Sequence, residues 1–187
     1  HERASDRCAE ALLKEEKKDK KKYDIVVMVQ GDEPLVHPDM LDEAIQTIKE
    51  NKSIKVVNLL GNLSEEEYSD VNIIKVIINK NYDAIYFSRK EIPYMKSINL
   101  SLVGKQICII PFERDFLLKY SELEPTPLEI AESIDMLRVI EYGYNVRMKP
   151  TNLVSHPVDV KEDIYYVEQL LDSCLLYTSP SPRDSIA

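Results

Sequence analysis

Apolar residues in this chain form runs of two kinds, and each kind predicts a different element. Ile25-Val26-Val27-Met28-Val29 is unbroken. Continuous rather than alternating apolarity predicts a strand covered on both faces. Lys55–Leu60, Asn72–Asn79, Ala84–Arg89 and Lys105–Phe112 are further runs of strand length, rich in β-branched or aromatic residues. Asn79–Asp83 has the composition of a hairpin turn. Elsewhere the period is helical. Arg7 to about Lys22 puts Cys8, Ala11 and Leu12 on one face before running into the solvated stretch KEEKKDKKK. Pro38–Glu50 repeats Leu41, Ala44, Ile45 and Ile48 at helical spacing, with Pro38 in the first turn and Asp39, Asp42 and Glu43 near the positive end. Thr126-Pro127-Leu128-Glu129 is a helix start, with a capping threonine and a glutamate three residues on. It predicts one helix with Ile130, Ile134, Leu137 and Ile140 as its stripe and Gly143 as its stop. A short strand, NVRMK, and a last helix beginning near Asp159 follow. Helix–strand alternation, then a strand-rich middle, predicts an α/β fold: a mixed, mostly parallel sheet with helices on both faces.

Composition narrows the function classes. The 187 residues suffice for one domain with a sizeable core. A formal net charge of -9 argues against a general nucleic-acid-binding surface. The cysteines Cys8, Cys108 and Cys174 are far apart and form no CxxC pair, which fits a reducing compartment and supports neither zinc nor a disulfide framework. No apolar run is long enough to span a bilayer. Four glycines leave no GxGxxG and no P-loop pattern, so those two nucleotide-binding readings lose their sequence support. The ends are unusual. The chain enters at His1 as if inside a domain, so an N-terminal truncation is expected. From Cys174, the stretch CLLYTSPSPRD abandons the helical pattern and reads like a translated sequencing adapter. The domain is therefore expected to end at residue 173, with 174–187 as a disordered tail.

Several residues could carry chemistry. Asp32 follows the run Ile25–Val29 within Gln30-Gly31-Asp32-Glu33-Pro34. Read locally, this is an acidic turn closed by proline. Read by position, it is a carboxylate at the carboxyl end of a strand, where open α/β sheets bind ligands, and it could hold Mg²⁺. Glu33 could share that task. Asp159 reads as a helix cap with Glu162 three residues later, or as a second metal ligand. Arg89, at a strand end, is either a solvated charge or a fork for carboxylate or phosphate. Lys75, inside an apolar strand, is either an edge residue facing water or points into a polar cleft. Arg138 reads as a salt-bridge partner. His37 and His156 each precede a proline, and neither suggests a catalytic arrangement.

The stretch VVMVQGDEPLVHPDML resembles the sugar-activating cytidylyltransferases, above all those of the 3-deoxy-manno-octulosonate (KDO) type. Further segments resemble that family in the expected order: ASDRCAEAL, VNIIKVI, AIYFSRKEIPY, PTPLEIAESIDMLRVIEYG and PVDVKEDI, together spanning Ser5 to about Leu171. The resemblance implies a nucleotide-diphospho-sugar transferase-like fold, incomplete at the N-terminus. It implies transfer of CMP from CTP to a 3-deoxy-ulosonic acid with release of pyrophosphate, for lipopolysaccharide or surface-glycan synthesis. It further implies Mg²⁺ as cofactor, a homodimer and a cytoplasmic location. Asp32 and Asp159 match the catalytic, metal-binding acids. Ser5, Arg7 and Gln30, with Asp32, match positions near the nucleotide. Lys75, Arg89, Gln106 and Glu129 match the sugar-acid side. The family's basic R-x-x-S-x-R-L-P-x-K loop is missing, so the chain alone is expected to turn over little or no substrate.

Two segments depart from the pattern. Where the family has a sugar-contacting histidine and a tyrosine, this chain has Gln106 and Ile110, and where it has an amide, Met136. These departures lie on the sugar side, so cytidylyl transfer is expected to be retained while 8-amino-KDO or another ulosonic acid stands beside KDO as the substrate. Acids of the sialic, legionaminic or pseudaminic type are the rival within the class, and the PTPLE and FSR segments favour the KDO branch. A non-catalytic sugar-nucleotide-binding module is the alternative of a different class, and the presence of both Asp32 and Asp159 argues against it.

Overall fold

The computed structural model describes residues 3–158 and 160–173. Asp159 and the expected tail at 174–187 lie outside the described residues. Backbone contacts group the chain into two compact units. One comprises the chain up to Gln30 together with His37–Leu153; the other comprises Gly31–Val36 with the described part of Val154–Ala187.

The first unit carries all the described strands. Its helices are α1 (Ala4–Asp19), α2 (Pro38–Glu50), α3 (Glu65–Ser69), α4 (Arg114–Ser121), α5 (Pro127–Glu132) and α6 (Met136–Glu141). Its strands are β1 (Ile25–Val29), β2 (Val57–Gly61), β3 (Lys75–Ile78), β4 (Ala84–Ser88), β5 (Gly104–Ile107), β6 (Ile109–Glu113) and β7 (Arg147–Pro150). Five strands lie in the order β4-β3-β5-β2-β7, and β1 pairs with β6. The α/β class and the mixed sheet hold. The expected parallel majority does not: β2–β7 is parallel, whereas β1–β6, β2–β5, β3–β4 and β3–β5 are antiparallel. Continuous apolar runs report burial on two faces, and a covered antiparallel strand satisfies them equally well.

Three elements differ from their sequence expectation for identifiable reasons. The single run Lys105–Phe112 is split at Cys108, so that β5 joins the five-stranded sheet and β6 joins β1. β1 has β6 as its one strand neighbour among the described residues, so it is less covered than its composition suggests: Met28 is buried and Val29 is exposed. The expected helix from Thr126 is broken in two. Ser133 adopts a left-handed conformation (φ 56°), ending α5, and Ile130 faces solvent while Ile134 and Leu137 are buried. On α1 the buried side runs Ser5, Ala9, Leu12, with Ala11 exposed. Other signals hold. Pro38 opens α2, where His37, not read as a cap from the sequence, accepts the Asp39 N–H at 3.2 Å, and Gly143 follows α6 with φ 80°. The Asn79–Asp83 hairpin closes through Asn79 N–H to Asp83 O at 2.9 Å.

The core of this unit gathers Ala9, Leu12, Met28, Val56, Phe87, Ile110, Phe112, Leu117, Tyr120, Met136, Leu137 and Met148. An ion pair ties α1 to α4 beside it. Arg114 donates from Nε and Nη2 to the two oxygens of Glu16, each at 2.7 Å. That fork holds the Glu16 carboxyl at about 2, well below the usual carboxylate range. A depressed folded value contributes stability above the unfolded value, which is lost as pH falls toward 2. The Glu16→Gln protein is therefore expected to melt lower than the unmodified one at pH 6 and to converge with it near pH 2. Thermal melting across that range checks it, and a pH-independent difference would contradict it.

The second unit holds the acidic turn. Its described helix is α7 (Lys161–Ser173). The His156 ring packs edge-on against Tyr166, with centroids 4.6 Å apart, and faces the Asp163 carboxylate at 3.3 Å. These contacts fix α7 to the segment that precedes it.

Candidate functional site

The turn after β1 ends on a carboxylate with an unmet bonding requirement. Asp32 Oδ1 is buried and has no hydrogen-bond partner among the described residues. Leaving such an oxygen unpaired costs free energy that a cation ligand would offset. The adjacent acid behaves differently. Glu33 is buried and accepts a hydrogen bond from Ser155 Oγ. The Val158 N–H donates to the carbonyl of Asp32 at 2.9 Å. So the turn at Asp32 is bound to the segment that leads into position 159, and Glu33 serves as a tie rather than a free ligand. Among the described residues no three His, Cys, Asp or Glu side chains group to hold a metal. Mg²⁺ keeps few protein ligands and takes the rest from water and phosphate, so one free carboxylate oxygen in this place fits it.

A second constellation lies on β3, β4 and β5. Lys75 is fully buried, and its ammonium donates to the carbonyls of Asp70 (2.6 Å), Ile73 (2.8 Å) and Arg89 (2.6 Å). Burial lowers its pKa, opposed by Asp70. Neither sequence reading of Lys75 survives: it faces neither water nor a cleft, and it anchors the backbone at Arg89. Arg89 is half-buried, with Nε on the carbonyl of Glu132 (2.8 Å) and Nη1 on that of Val71 (3.2 Å). The Gln106 backbone N–H donates to Ile74 O at 2.9 Å, which places β5 beside Lys75. The Gln106 side chain donates to Asn58 Oδ1 at 2.5 Å, and the Asn58 amide in turn donates to Ile107 O at 2.6 Å. Lys75 on β3, Arg89 directly after β4 and Gln106 on β5 thus lie on neighbouring strands or at their end.

The remaining expected residues lie elsewhere. Glu129 is fully buried and meets Arg138 through both oxygens, at 2.7 and 2.6 Å. It also accepts the Thr126 N–H at 3.2 Å. Its carboxylate is spent on joining α5 to α6, so the expected contact with a sugar hydroxyl is replaced by a structural role. Ser5 is buried in α1, with Oγ 3.4 Å from Asp135. Arg3 reaches the same network, 3.2 Å from Asp135 and 3.6 Å from Glu129. Burial raises the Asp135 pKa, opposed mainly by Arg3. Arg7 is exposed on α1, and Gln30 is half-buried at the end of β1 with its N–H on Cys108 O at 3.4 Å. Of the changed family positions, Ile110 and Met136 are buried in the core. Gln106 alone remains partly open.

The family described as "Cytidylyltransferase" matches residues 1–156. This chain belongs to the cytidylyltransferase family. A 3-deoxy-manno-octulosonate cytidylyltransferase of Fusobacterium nucleatum is 42% identical over 147 residues, covering 78% of this chain and 60% of that protein. One from Geobacter metallireducens is 34% identical over 183 residues, covering 91% of this chain and 70% of that protein. The solved structure of a CMP:2-keto-3-deoxy-manno-octonic acid synthetase complexed with CTP matches with TM-score 0.80 and 30% identity, over 92% of this chain and 69% of its own. A putative glucose-1-phosphate thymidylyltransferase from Bacillus anthracis, at 12% identity and TM-score 0.57, shares the fold. The chain spans about six-tenths of the length of the first two curated relatives it matches.

Two further residues contact the expected site residues although the sequence did not single them out. Asn58 interrupts the apolar run Lys55–Leu60, and an amide buried in such a run is a visible signal. Glu132 gives none, because its partners Ser88 and Arg89 lie more than forty residues away in the chain. The helices α3 and α4 are also absent from the periodicity, although Ser64 and Glu67 form a capping box at the start of α3.

Proposed function

We propose that this cytidylyltransferase forms a CMP-sugar from CTP and a 3-deoxy-ulosonic acid of the KDO type. The observation that carries the reading is the buried Oδ1 of Asp32 after β1, without a partner among the described residues, in a turn bonded to the segment before Asp159. The names of the relatives support the nucleotide and the acid. Mg²⁺, held by Asp32 and Asp159, would neutralise phosphate oxygens and orient CTP for in-line displacement. The anomeric hydroxyl oxygen attacks the α-phosphorus, the bond to the bridging oxygen of the β-phosphate breaks, and pyrophosphate leaves while the hydroxyl proton passes to water. This chain's residues act by placing the reactants. Gln30 is given to the nucleotide on the family resemblance alone. Arg89 holds the carboxylate of the sugar acid, an ion its planar fork matches. A homodimer, a cytoplasmic setting and a place in lipopolysaccharide or surface-glycan synthesis belong to the same reading and rest on the family.

The experiment is mass-spectrometric detection of CMP-sugar by the full-length protein, offered CTP, Mg²⁺ and in turn KDO, 8-amino-KDO and N-acetylneuraminate. CMP-KDO as the main product is expected, since Ile110 and Met136 are core positions. Preference for 8-amino-KDO would assign the acid's identity to Gln106. Absence of every CMP-sugar would refute the reading.

A further inference from the structure

The break between α5 and α6 has a consequence at β4. Glu132 is the last residue of α5, and the left-handed Ser133 (φ 56°, ψ 48°) turns the chain away immediately after it. The final carbonyls of a helix have no partner within it. That of Glu132 accepts from Arg89 Nε at 2.8 Å. The Glu132 carboxylate does not pair with the guanidinium. It accepts instead the Arg89 backbone N–H at 2.9 Å, with Ser88 Oγ at 2.9 Å and Tyr86 OH at 3.4 Å on its other oxygen. From the other side, Lys75 Nζ donates to the Arg89 carbonyl at 2.6 Å. Arg89 is thus fixed at its amide, its carbonyl, Nε and Nη1.

A guanidinium has five N–H donors. Two are used here, on Glu132 O and Val71 O, which leaves three, on Nη1 and Nη2, without a protein acceptor among the described residues. Nor does any carboxylate there form an ion pair with Arg89. The result is a fork held at Nε and Nη1, with no direct ion pair and no protein acceptor on Nη2 among the described residues, an edge that a bidentate carboxylate could take. Had Glu132 paired with the guanidinium, that edge would be neutralised and filled.

We propose that Glu132 is a positioning residue for sugar-acid recognition: by taking the backbone N–H and Nε of Arg89 rather than its outer edge, it orients the fork and keeps it available to the substrate carboxylate. This rests on the reading of Arg89 given above. It assigns a use to the helix break, because an unbroken helix would return the Glu132 carbonyl to its own backbone. The effect is confined to the acid substrate, since among the described residues the Glu132 side chain bonds to β4 and to Arg89, which follows it.

The test is steady-state kinetics on the full-length protein. Glu132→Gln, which keeps one acceptor oxygen and loses the other, is expected to raise KM for KDO about tenfold. KM for CTP and kcat at saturation are expected to stay within about twofold, with an unchanged circular dichroism spectrum. Arg89→Ala is expected to raise KM for KDO further, and adding Glu132→Gln to it should have no additional effect, because the two act as one unit. If Glu132→Gln does not fold, Ser133→Val, which disfavours the left-handed turn, is expected to raise the same KM. Equal rises in both KM values, or an unchanged KM for KDO where Arg89→Ala raises it, would overturn the positioning role and leave the Arg89 site standing. An unchanged KM for KDO in Arg89→Ala would overturn both.

Discussion

Asp32→Asn is expected to lower turnover of the full-length protein about a thousandfold, equivalent to roughly 4 kcal/mol of lost transition-state stabilisation. The side chain stays nearly isosteric and the backbone bond from Val158 is retained, because that bond is to the Asp32 carbonyl. What disappears is the charge on a buried oxygen that has no partner among the described residues. A charge maintained for structure would cost stability when removed, whereas one maintained for a ligand should not. The Asp32→Asn protein is therefore expected to melt, without ligand, at or above the temperature of the unmodified one. It should also lose most of the upward shift that CTP with Mg²⁺ produces. Loss of turnover together with a fall in ligand-free stability would make Asp32 a structural residue.

The second large effect is on stability. Glu129 and Arg138 are both almost fully buried and paired through two short hydrogen bonds, with the guanidinium 4.8 Å over the Tyr120 ring. Removing one member of such a pair strands the other charge in the core. Arg138→Met is expected to destabilise by about 3–5 kcal/mol, lowering the melting temperature by roughly 6–20 °C. Removing both members with apolar replacements, Glu129→Leu with Arg138→Met, is expected to restore most of that loss. Chemical denaturation of the three proteins measures it. A mild single substitution, or a double one no better than the single, would show that the pair is screened by water. The outcome also bears on the site: if Glu129 serves structure, its loss lowers stability without a selective change in affinity for the sugar acid.

Sequence reasoning reaches furthest where one element decides the answer. β1 and α2 begin and end where their apolar run and their proline place them. Asp32 is legible as a strand-end acid. What escapes is set by meetings between distant segments. The expected helix from Thr126 breaks at Ser133, and only the break lets Glu129 meet Arg138, nine residues on and off the helical repeat of three or four. Lys75 reads as an edge charge because its three carbonyl partners belong to backbone, which carries no signature in the sequence. The split at Cys108 sends two halves of one apolar run into different sheets, which periodicity does not register. The family resemblance assigns Glu129 to the substrate and passes over Glu132, and the fold gives the first a structural partner and the second the contacts to Arg89.

The measurement closest to the central claim is pyrophosphate release by the full-length protein given CTP and Mg²⁺, with and without KDO. Release is expected to require both substrates and to match the CMP-KDO formed mole for mole. Release independent of KDO, or none with both present, would contradict it.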